Sequence, residues 1–284
     1  MARSGTAHHA RHRLERLVVA WNVTVDRVTE TPTSLLAFGH HDRHAVVLKV
    51  VTLASEWWSG EILNAFGGRG VVRVLDIADG AVLLEQLQPG ASLSALSLRG
   101  EDQRATAILA ETIAAMSPST CPEWVRDAAD WGRSFLPYRR SGDAQVPDTL
   151  VSAAERVYFD LCASQRRERL LHGDLHHDNL LFDTTRGWLA IDPKGVRGEL
   201  EYELGAALRN PCERPDLFAQ PDVIRRRVDR LTQTLSVDPT RVLRWAFAQA
   251  VLAAIWQIED GTPVGPDNRW LAFARAIGSL CDET

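Results

Sequence analysis

The sequence lacks the features that mark disulfide-rich, metal-cluster and membrane proteins. Cysteine occurs only four times in 284 residues, with no C-x-x-C pair and no metal-ligand spacing. No secretory signal is evident at the start of the chain, so the thiols are expected to be reduced and the protein cytoplasmic. The longest apolar stretch, residues 245–258, contains two glutamines and is too short to cross a bilayer. The four thiols belong to Cys121, Cys162, Cys212 and Cys281.

The chain also lacks a dominant stripe of positive charge. Its formal net charge is −5 and its pI is near 6. The basic run at residues 225–227 lies among apolar residues at helical spacing, which is typical of the solvated face of a helix. The sequence therefore predicts no nucleic-acid partner and no membrane partner, and it leaves the oligomeric state open. Mild acidity would suit a cationic small ligand.

Two regions of the chain differ in their hydrophobic pattern. The first ~90 residues are typical of a small antiparallel sheet with one helix, and the remainder is typical of a mostly helical domain. The pattern breaks at Pro89-Gly90, so we expect an α+β fold with domains at residues 1–88 and 89–284 and a hinge at 86–91. The predicted elements of the first region are strands at 22–28, 35–38, 45–51, 71–77 and 81–87, a helix at 54–66 and a tight turn at 78–80. In the second region the predicted helices lie at 105–116, 151–162, 222–235, 239–260 and 266–281.

Residues 170–194 carry the clearest chemical signal. An apolar strand at 180–182, turn formers at 183–187 and a return strand at 188–191 predict a hairpin. An antiparallel ladder would set Asn179 and Asp192 side by side at its open end, with Asp174 on the loop that leads there. Two carboxylates and an amide oxygen are hard ligands of the kind that Mg²⁺ takes alongside phosphates. The segment therefore predicts phosphoryl transfer.

The sequence of this segment, HGDLHHDN followed by IDPK, resembles that of the aminoglycoside phosphotransferases. It is most similar to the branch with streptomycin 6-kinases and hydroxyurea phosphotransferases, and the matching stretches lie at 172–181, 188–195 and 205–211. The resemblance implies a bilobal protein-kinase-like fold that transfers phosphate from ATP, with Mg²⁺, to a hydroxyl of a small molecule. Asp174 would be the catalytic base, and Asn179 and Asp192 would bind the metal.

The nucleotide side of the site is expected in the first domain. Lys49 lies near the end of a buried strand, where its charge needs a partner. Glu61 on the following helix is the expected partner and Glu56 is the alternative; the resemblance implies that the pair grips the nucleotide phosphates. A third reading of Lys49, as an edge-strand lysine that prevents aggregation, would give it no catalytic role.

Other nucleotide contacts are implied by the resemblance. No G-x-G-x-x-G is present, and the loop at 31–34 would instead offer Ser34 or Thr33 to the phosphates, although a plain turn explains the loop equally well. The backbone of Glu85 and Leu87 would meet adenine. Where the family has Tyr-Asp-Leu after the metal aspartate, this chain has Tyr202-Glu203-Leu204.

Acceptor binding is expected on the helix at 239–260, where Trp256 and Glu259 share one face with apolar residues. Such stripes usually face the core. Glu259 and Asp260, however, end the helix where its dipole disfavours negative charge, so the pair is predicted to receive a cationic group; exposed solubilising charge is the alternative. Glu201 is a further acidic candidate.

Three alternatives to an aminoglycoside kinase remain at this point. The acceptor could be hydroxyurea or another small hydroxylated metabolite. The histidines at 172, 176 and 177 could form a transition-metal hydrolase cluster with Asp174 and Asp178. This alternative leaves no role for four residues that the kinase interpretation uses: Lys49, Glu61, Asn179 and Asp192. A catalytically silent binding module is the rival from a different class, and the presence of Lys49, Asp174, Asn179 and Asp192 argues against it.

Overall fold

The chain folds into two compact units. The computed structural model describes residues 2–78, 80–116 and 121–282, with side chains between residues 9 and 280. The first unit comprises the described residues up to Ala91 together with Leu181–Lys194, and the second unit comprises nearly all the others. The first unit is built on an antiparallel sheet and the second is mostly helical, so the predicted α+β class is confirmed.

The first unit contains a five-stranded sheet in the order β1-β2-β3-β5-β4. Every neighbouring pair in it is antiparallel, as predicted. The predicted helix at 54–66 is divided into a 3₁₀ turn, Ala54–Glu56, and a short α-helix, and the central residue of the predicted turn at 78–80 lies outside the described residues. The elements are α1 (Ala2–Ala20), β1 (Val23–Glu30), β2 (Ser34–His41), β3 (His44–Val51), α2 (Ser59–Ala65), β4 (Val74–Ala78) and β5 (Ala81–Glu85).

Helix α1, which the sequence pattern does not predict, covers one face of this sheet. Ala10 and Leu14 are buried there in a cluster with Leu35, Leu48 and Leu83. Since successive strand residues point to opposite faces, the other face carries the Lys49 side chain.

The Lys49 face of the sheet is less completely covered. Leu36 and Val82 are the direct cross-strand neighbours of Lys49. Leu36 is only half-buried, as are Phe38 and Val47 on the same face. A charged group and partly exposed apolar side chains thus share one surface of the first unit.

The rest of the described chain adds six helices of more than two turns, shorter helical segments and short strands. Strands β7 and β10 pair with each other, and β6, β8 and β9 form a three-stranded sheet in which β8 and β9 are the predicted hairpin. The elements are β6 (Pro89–Ser92), α3 (Ser94–Leu98), α4 (Asp102–Ala115), α5 (Ala128–Trp131), α6 (Phe135–Ser141), α7 (Asp148–Ala163), β7 (Arg169–Leu171), β8 (Leu180–Asp183), β9 (Gly187–Ala190), β10 (Val196–Gly198), α8 (Leu200–Leu208), α9 (Pro215–Phe218), α10 (Pro221–Leu235), α11 (Pro239–Glu259) and α12 (Arg269–Asp282).

Helix α11 forms the centre of the second unit. It begins as the sequence predicts, because the Asp238 side chain accepts hydrogen bonds from the backbone amides of Thr240 and Arg241 and Pro239 occupies the first turn. Trp245 on α11 is fully buried, and the helix packs against α7, α8 and α12. None of the helices within the described part of the chain has the length and apolarity needed to span a membrane.

The basic run on α10 is not the uniformly solvated face that the sequence suggests. Arg225 and Arg226 are exposed, but Arg227 is 2% exposed and forms a two-pronged ion pair with Asp102 at 2.6 and 3.0 Å. Its remaining nitrogen donates to the carbonyl oxygens of Leu208 and Asn210. Arg227 therefore joins α10 to α4 and to the end of α8, and this part of the prediction was wrong.

Candidate active site

The loop between β7 and β8 is wrapped around a buried carboxylate. Glu203 on α8 accepts hydrogen bonds from the backbone amides of His172 at 2.7 Å and Gly173 at 3.0 Å, and a third from Leu175. Gly173 has φ +83°, and a Cβ there would lie 2.6 Å from the Val196 side chain, so only glycine fits. The longer acid at position 203 thus braces the loop where the family pattern has aspartate.

Asp174 lies on this braced loop and is half-buried. Its backbone carbonyl accepts a hydrogen bond from the Asn179 side-chain amide at 2.9 Å, which closes the loop. His172 is fully buried, and its Nδ1 accepts from the Asp174 backbone amide at 3.3 Å. His177 is also fully buried. Neither of these two rings is therefore open to solvent, which argues against the metal-hydrolase alternative.

The two predicted metal ligands sit on local turns. Asn179 ends the 3₁₀ turn His177–Asn179, and its amide oxygen is a hard ligand atom. Asp192 follows β9 and has φ +60°, a left-handed conformation that is uncommon outside glycine. A non-glycine residue held in this conformation is a feature that recurs at functional positions. The Asp192 carboxylate contacts Lys49 within the first unit.

Lys49 is paired with Glu56 rather than with the expected Glu61. The Lys49 Nζ lies 3.5 Å from Glu56 Oε2, and Glu56 is 3% exposed. The helix predicted at 54–66 is interrupted after its first turn. Glu56 ends that 3₁₀ turn and is buried, whereas Glu61 lies on α2 and is half-buried. A second lysine, Lys194, also binds Glu56, with its Nζ 2.5 Å from Oε1.

The loop at residues 31–34 is a hydrogen-bonded turn between β1 and β2. The Thr31 and Ser34 hydroxyls lie 2.9 Å apart, and the Thr31 amide donates to the Ser34 carbonyl at 2.8 Å. Ser34 is 3% exposed, whereas Thr33 is half-buried. The plain-turn explanation is thus sufficient for Ser34.

The predicted adenine-binding positions follow β5. The Glu85 carboxylate accepts from the backbone amide of Arg73 at 2.7 Å and pairs with Arg186, so its side chain is occupied. Leu87 is buried. The role predicted for both residues involves their backbone, and it stays a prediction.

A cleft of about 790 Å³ in the second unit brings Asp174 together with two of the predicted acceptor residues. Trp256 and Asp260 line it, and Asp260 is exposed. Glu259 is not among the described lining residues; its carboxylate accepts from the Ser134 hydroxyl at 3.1 Å. Glu201 is half-buried in the first turn of α8 and is likewise absent from that lining. The two acids of the pair therefore differ in position: Asp260 lines the cleft, whereas the Glu259 carboxylate contacts Ser134.

The family model for aminoglycoside/hydroxyurea antibiotic resistance kinases matches residues 20–261 of the chain. The chain belongs to this family. It is therefore a kinase that phosphorylates a small molecule, as the HGDLHHDN and IDPK segments predicted.

Relatives of this kinase are similar over most of its length. It is 33% identical to the streptomycin 3''-kinase of Klebsiella pneumoniae over 76% of the chain and 80% of that protein. It is 30% identical to the streptomycin 6-kinase of Streptomyces glaucescens, over 88% of the chain and 83% of that protein. A hydroxyurea phosphotransferase of Kitasatospora aureofaciens is 32% identical over 76% of the chain and 62% of that protein.

Solved structures confirm the protein-kinase-like fold. The aminoglycoside phosphotransferase APH(4)-Ia, in a ternary complex with ADP and hygromycin B, superposes with a TM-score of 0.62 at 15% identity, covering 95% of this chain and 96% of the other. The choline kinase LicA of Streptococcus pneumoniae superposes with a TM-score of 0.60 at 15% identity, covering 96% and 99%.

Sequence reasoning missed several residues of the kinase's cleft. Arg209 is buried, and burial lowers its pKa while the nearby Asp174 carboxylate opposes that shift. The guanidinium donates to Gln249 at 3.1 Å and lies over the Trp270 ring. Arg209 falls within the stretch at 205–211 that carries the family resemblance, so a signal was present there; Asp267, by contrast, lies in a loop with no such signal.

The buried Glu203 leads us to expect an unusual pH dependence of the stability and the kcat of this kinase. Burial raises the pKa of Glu203 to about 7, although the amides of Gly173, His172 and Leu175 favour the carboxylate. Because the folded state raises this pKa from the ordinary 4.5, it favours the protonated carboxyl. The resulting contribution to the free energy of unfolding is fully present below pH 4.5 and is lost as the pH rises through about 7. The braced loop, however, needs the carboxylate, so kcat should fall as the pH drops below about 7.

The matched variant is Glu203→Gln, which keeps the size of the side chain and cannot ionise. Its kcat should vary less with pH between 5 and 8 than that of the wild type. Its melting temperature should also fall less than that of the wild type as the pH rises from 5 to 8. Parallel pH profiles of kcat and melting temperature for the two proteins would show that Glu203 does not titrate there.

Proposed function

We propose that this kinase transfers the γ-phosphoryl group of ATP, with Mg²⁺, to a hydroxyl group of a cationic aminoglycoside of the streptomycin type. The observation that carries the proposal is the cleft in the second unit, where the predicted base Asp174 shares one surface with Trp256 and Asp260. The cleft offers the acceptor a proton acceptor, an aromatic wall and a carboxylate.

The charges of the cleft support a cationic acceptor. Its described lining includes three aspartates, Asp174, Asp260 and Asp267, against two arginines, Arg209 and Arg269. Arg209 is buried and hydrogen-bonded to Gln249, so the exposed part of the surface is acidic on balance. Guanidinium and ammonium groups bind to such carboxylates, and aromatic faces such as that of Trp256 attract cations.

The size of the cleft argues against hydroxyurea as the main acceptor. A space of about 790 Å³ lies within the range of roughly 300–1,000 Å³ that is common for drug-sized ligands. Hydroxyurea has only a few heavy atoms and would leave most of this space filled with water. A polycyclic, polyhydroxylated cation would contact several walls at once.

The reaction assigns a role to each group. The acceptor oxygen attacks the γ-phosphorus and passes its proton to the Asp174 carboxylate, while the bond from that phosphorus to the bridging oxygen breaks and ADP leaves. Lys49 would bind the nucleotide phosphates, and the half-buried Leu36, Phe38 and Val47 on the same face would pack on the nucleotide. Asn179 and Asp192 have the hard oxygen atoms that suit Mg²⁺, which would neutralise phosphate charge when bound.

A coupled assay of ADP release tests the proposal. The purified kinase, with ATP and Mg²⁺, is offered streptomycin, other aminoglycosides, hydroxyurea and simple sugars. We expect the highest kcat/KM with streptomycin or another guanidinium-bearing aminoglycoside. Preferred turnover of hydroxyurea, or no ADP release with any cationic acceptor, would contradict it.

The division of the acidic pair yields a separate prediction. Asp260→Asn should raise KM for a cationic acceptor by a few-fold to about tenfold and weaken its salt dependence, because one partly exposed ion pair is lost. Glu259→Gln is the matched control: it removes the same charge one residue away, where the carboxylate contacts Ser134. Equal KM shifts for the two variants in steady-state assays would mean that the charge acts at long range and not by contact.

A further inference from the structure

The buried carboxylate of Glu56 is held by two lysines at once. Lys194 Nζ lies 2.5 Å from one oxygen, and Lys49 Nζ lies 3.5 Å from the other. The Glu56 side chain is 2% exposed and that of Lys49 is 8% exposed, whereas that of Lys194 is 29% exposed. Lys49 also contacts the Asp192 carboxylate. Of the two lysines, Lys194 makes the shorter contact with Glu56, while Lys49 is shared between Glu56 and Asp192.

These two residues are the whole lysine content of the chain. Of 32 lysine and arginine residues, only Lys49 and Lys194 are lysines. Ion pairs that join elements of the second unit use arginine, as in the buried pairs of Arg227 with Asp102 and of Arg241 with Glu199. Lysine is a compact point charge on a flexible stem, whereas arginine is a planar fork that suits fixed pairs. The chain thus has lysine only where both cations meet Glu56.

We propose that Lys194 is a positioning residue for nucleotide binding, which fixes Glu56 and through it directs Lys49 towards the phosphates. The inference rests on the proposed use of Lys49 as a phosphate ligand. If Lys49 alone balanced Glu56 and Asp192, its movement towards a phosphate would leave a buried carboxylate poorly compensated, which is costly. With Lys194 on Oε1, Lys49 can exchange Asp192 for a phosphate while Glu56 remains neutralised.

A double-mutant cycle separates this role from direct phosphate binding by Lys194. The variants are Lys194→Met, Glu56→Gln and the double variant, with Arg104→Met as a charge-matched control because Arg104 is exposed and pairs with Glu101 at the surface. Dissociation constants for Mg²⁺-ATP are measured by calorimetry. Lys194→Met should weaken binding by about tenfold, and the double variant should resemble Glu56→Gln alone, because the effect passes through Glu56.

Kinetics and folding provide further readouts. KM for ATP should rise in Lys194→Met while KM for the acceptor stays close to the wild-type value. The double variant has no buried unpaired carboxylate, so it remains testable if Lys194→Met alone does not fold. Independent, additive effects of the two substitutions on ATP affinity would overturn the proposal.

The lysine content allows a direct test that needs no activity. A protein grown with [¹³Cε]lysine gives two side-chain resonances by NMR, which the Lys194→Met variant assigns. Without nucleotide, the Lys49 resonance should shift in Lys194→Met and stay unchanged in Arg104→Met; an unmoved resonance would overturn the proposal. If ATP moves neither resonance in the wild type, the proposed nucleotide site is wrong, and the two failures are thus distinguishable.

Discussion

Replacing Asp174 by asparagine is expected to lower kcat by at least about 100-fold, because a positioned general base contributes on the order of 10²–10⁴ to a proton-transfer step. The substitution keeps the shape of the side chain and removes its ability to take the acceptor proton. The loop should keep its structure, since Glu203 and Asn179 hold it through backbone groups and not through the Asp174 carboxylate. Affinity for the nucleotide should be nearly unchanged, because the loss falls on the transition state.

The control for this prediction lies in the same loop. Asp178→Asn makes the same chemical change four positions later, where the carboxylate contacts Ser92 and His176. Its turnover should be close to that of the wild type in the ADP-release assay. A turnover of Asp174→Asn that matches that of Asp178→Asn would exclude Asp174 as the base.

Replacing Asp192 by asparagine should have an effect whose sign depends on the metal. With Mg²⁺ present, ATP should bind at least about tenfold more weakly, because a carboxylate ligand of the metal is lost. Without Mg²⁺, binding should be equal or tighter, since an anion that repels the phosphates has been removed and Lys49 loses a competing partner. Asparagine is the suitable replacement because it tolerates the left-handed conformation at φ +60°, which alanine does not.

Calorimetric titrations of wild-type and Asp192→Asn protein measure the ATP affinity of each, both with and without Mg²⁺. Weakening of equal size in the two conditions would show that the substitution acts by disturbing the turn and not by removing a metal ligand. Unaltered binding with Mg²⁺ would show that Asp192 does not serve the nucleotide site.

Local sequence signals predicted much of this fold. The hairpin of β8 and β9 follows from two short apolar runs around turn formers, and the start of α11 follows from Asp238 and Pro239. The hairpin was predicted correctly, and Asp174 was selected as the candidate base, because residue types and spacing within one short segment are set by chemistry. Patterns of this kind do not depend on what the distant chain does.

The errors occurred where distant parts of the chain decide the outcome. Glu61 was preferred to Glu56 because an unbroken helix was assumed, and the 3₁₀ turn that buries Glu56 has no periodic signature. Arg227 was taken as solvated because its partner, Asp102, lies far away in sequence. Helix α1 was missed because its buried residues include a small one, Ala10, and so form no strong apolar stripe.

Helix α1 has a practical consequence for work on this family. The family model begins at residue 20 and ends at residue 261, so a chain trimmed to those limits would lose both terminal helices. Ala10 and Leu14 would no longer cover Leu35, Leu48 and Leu83, and α11 would lose the buried α12 residues Leu271, Phe273 and Ile277. Two apolar surfaces would then face water, which favours self-association. A piece of chain prepared for experiments should therefore extend beyond the matched residues on both sides.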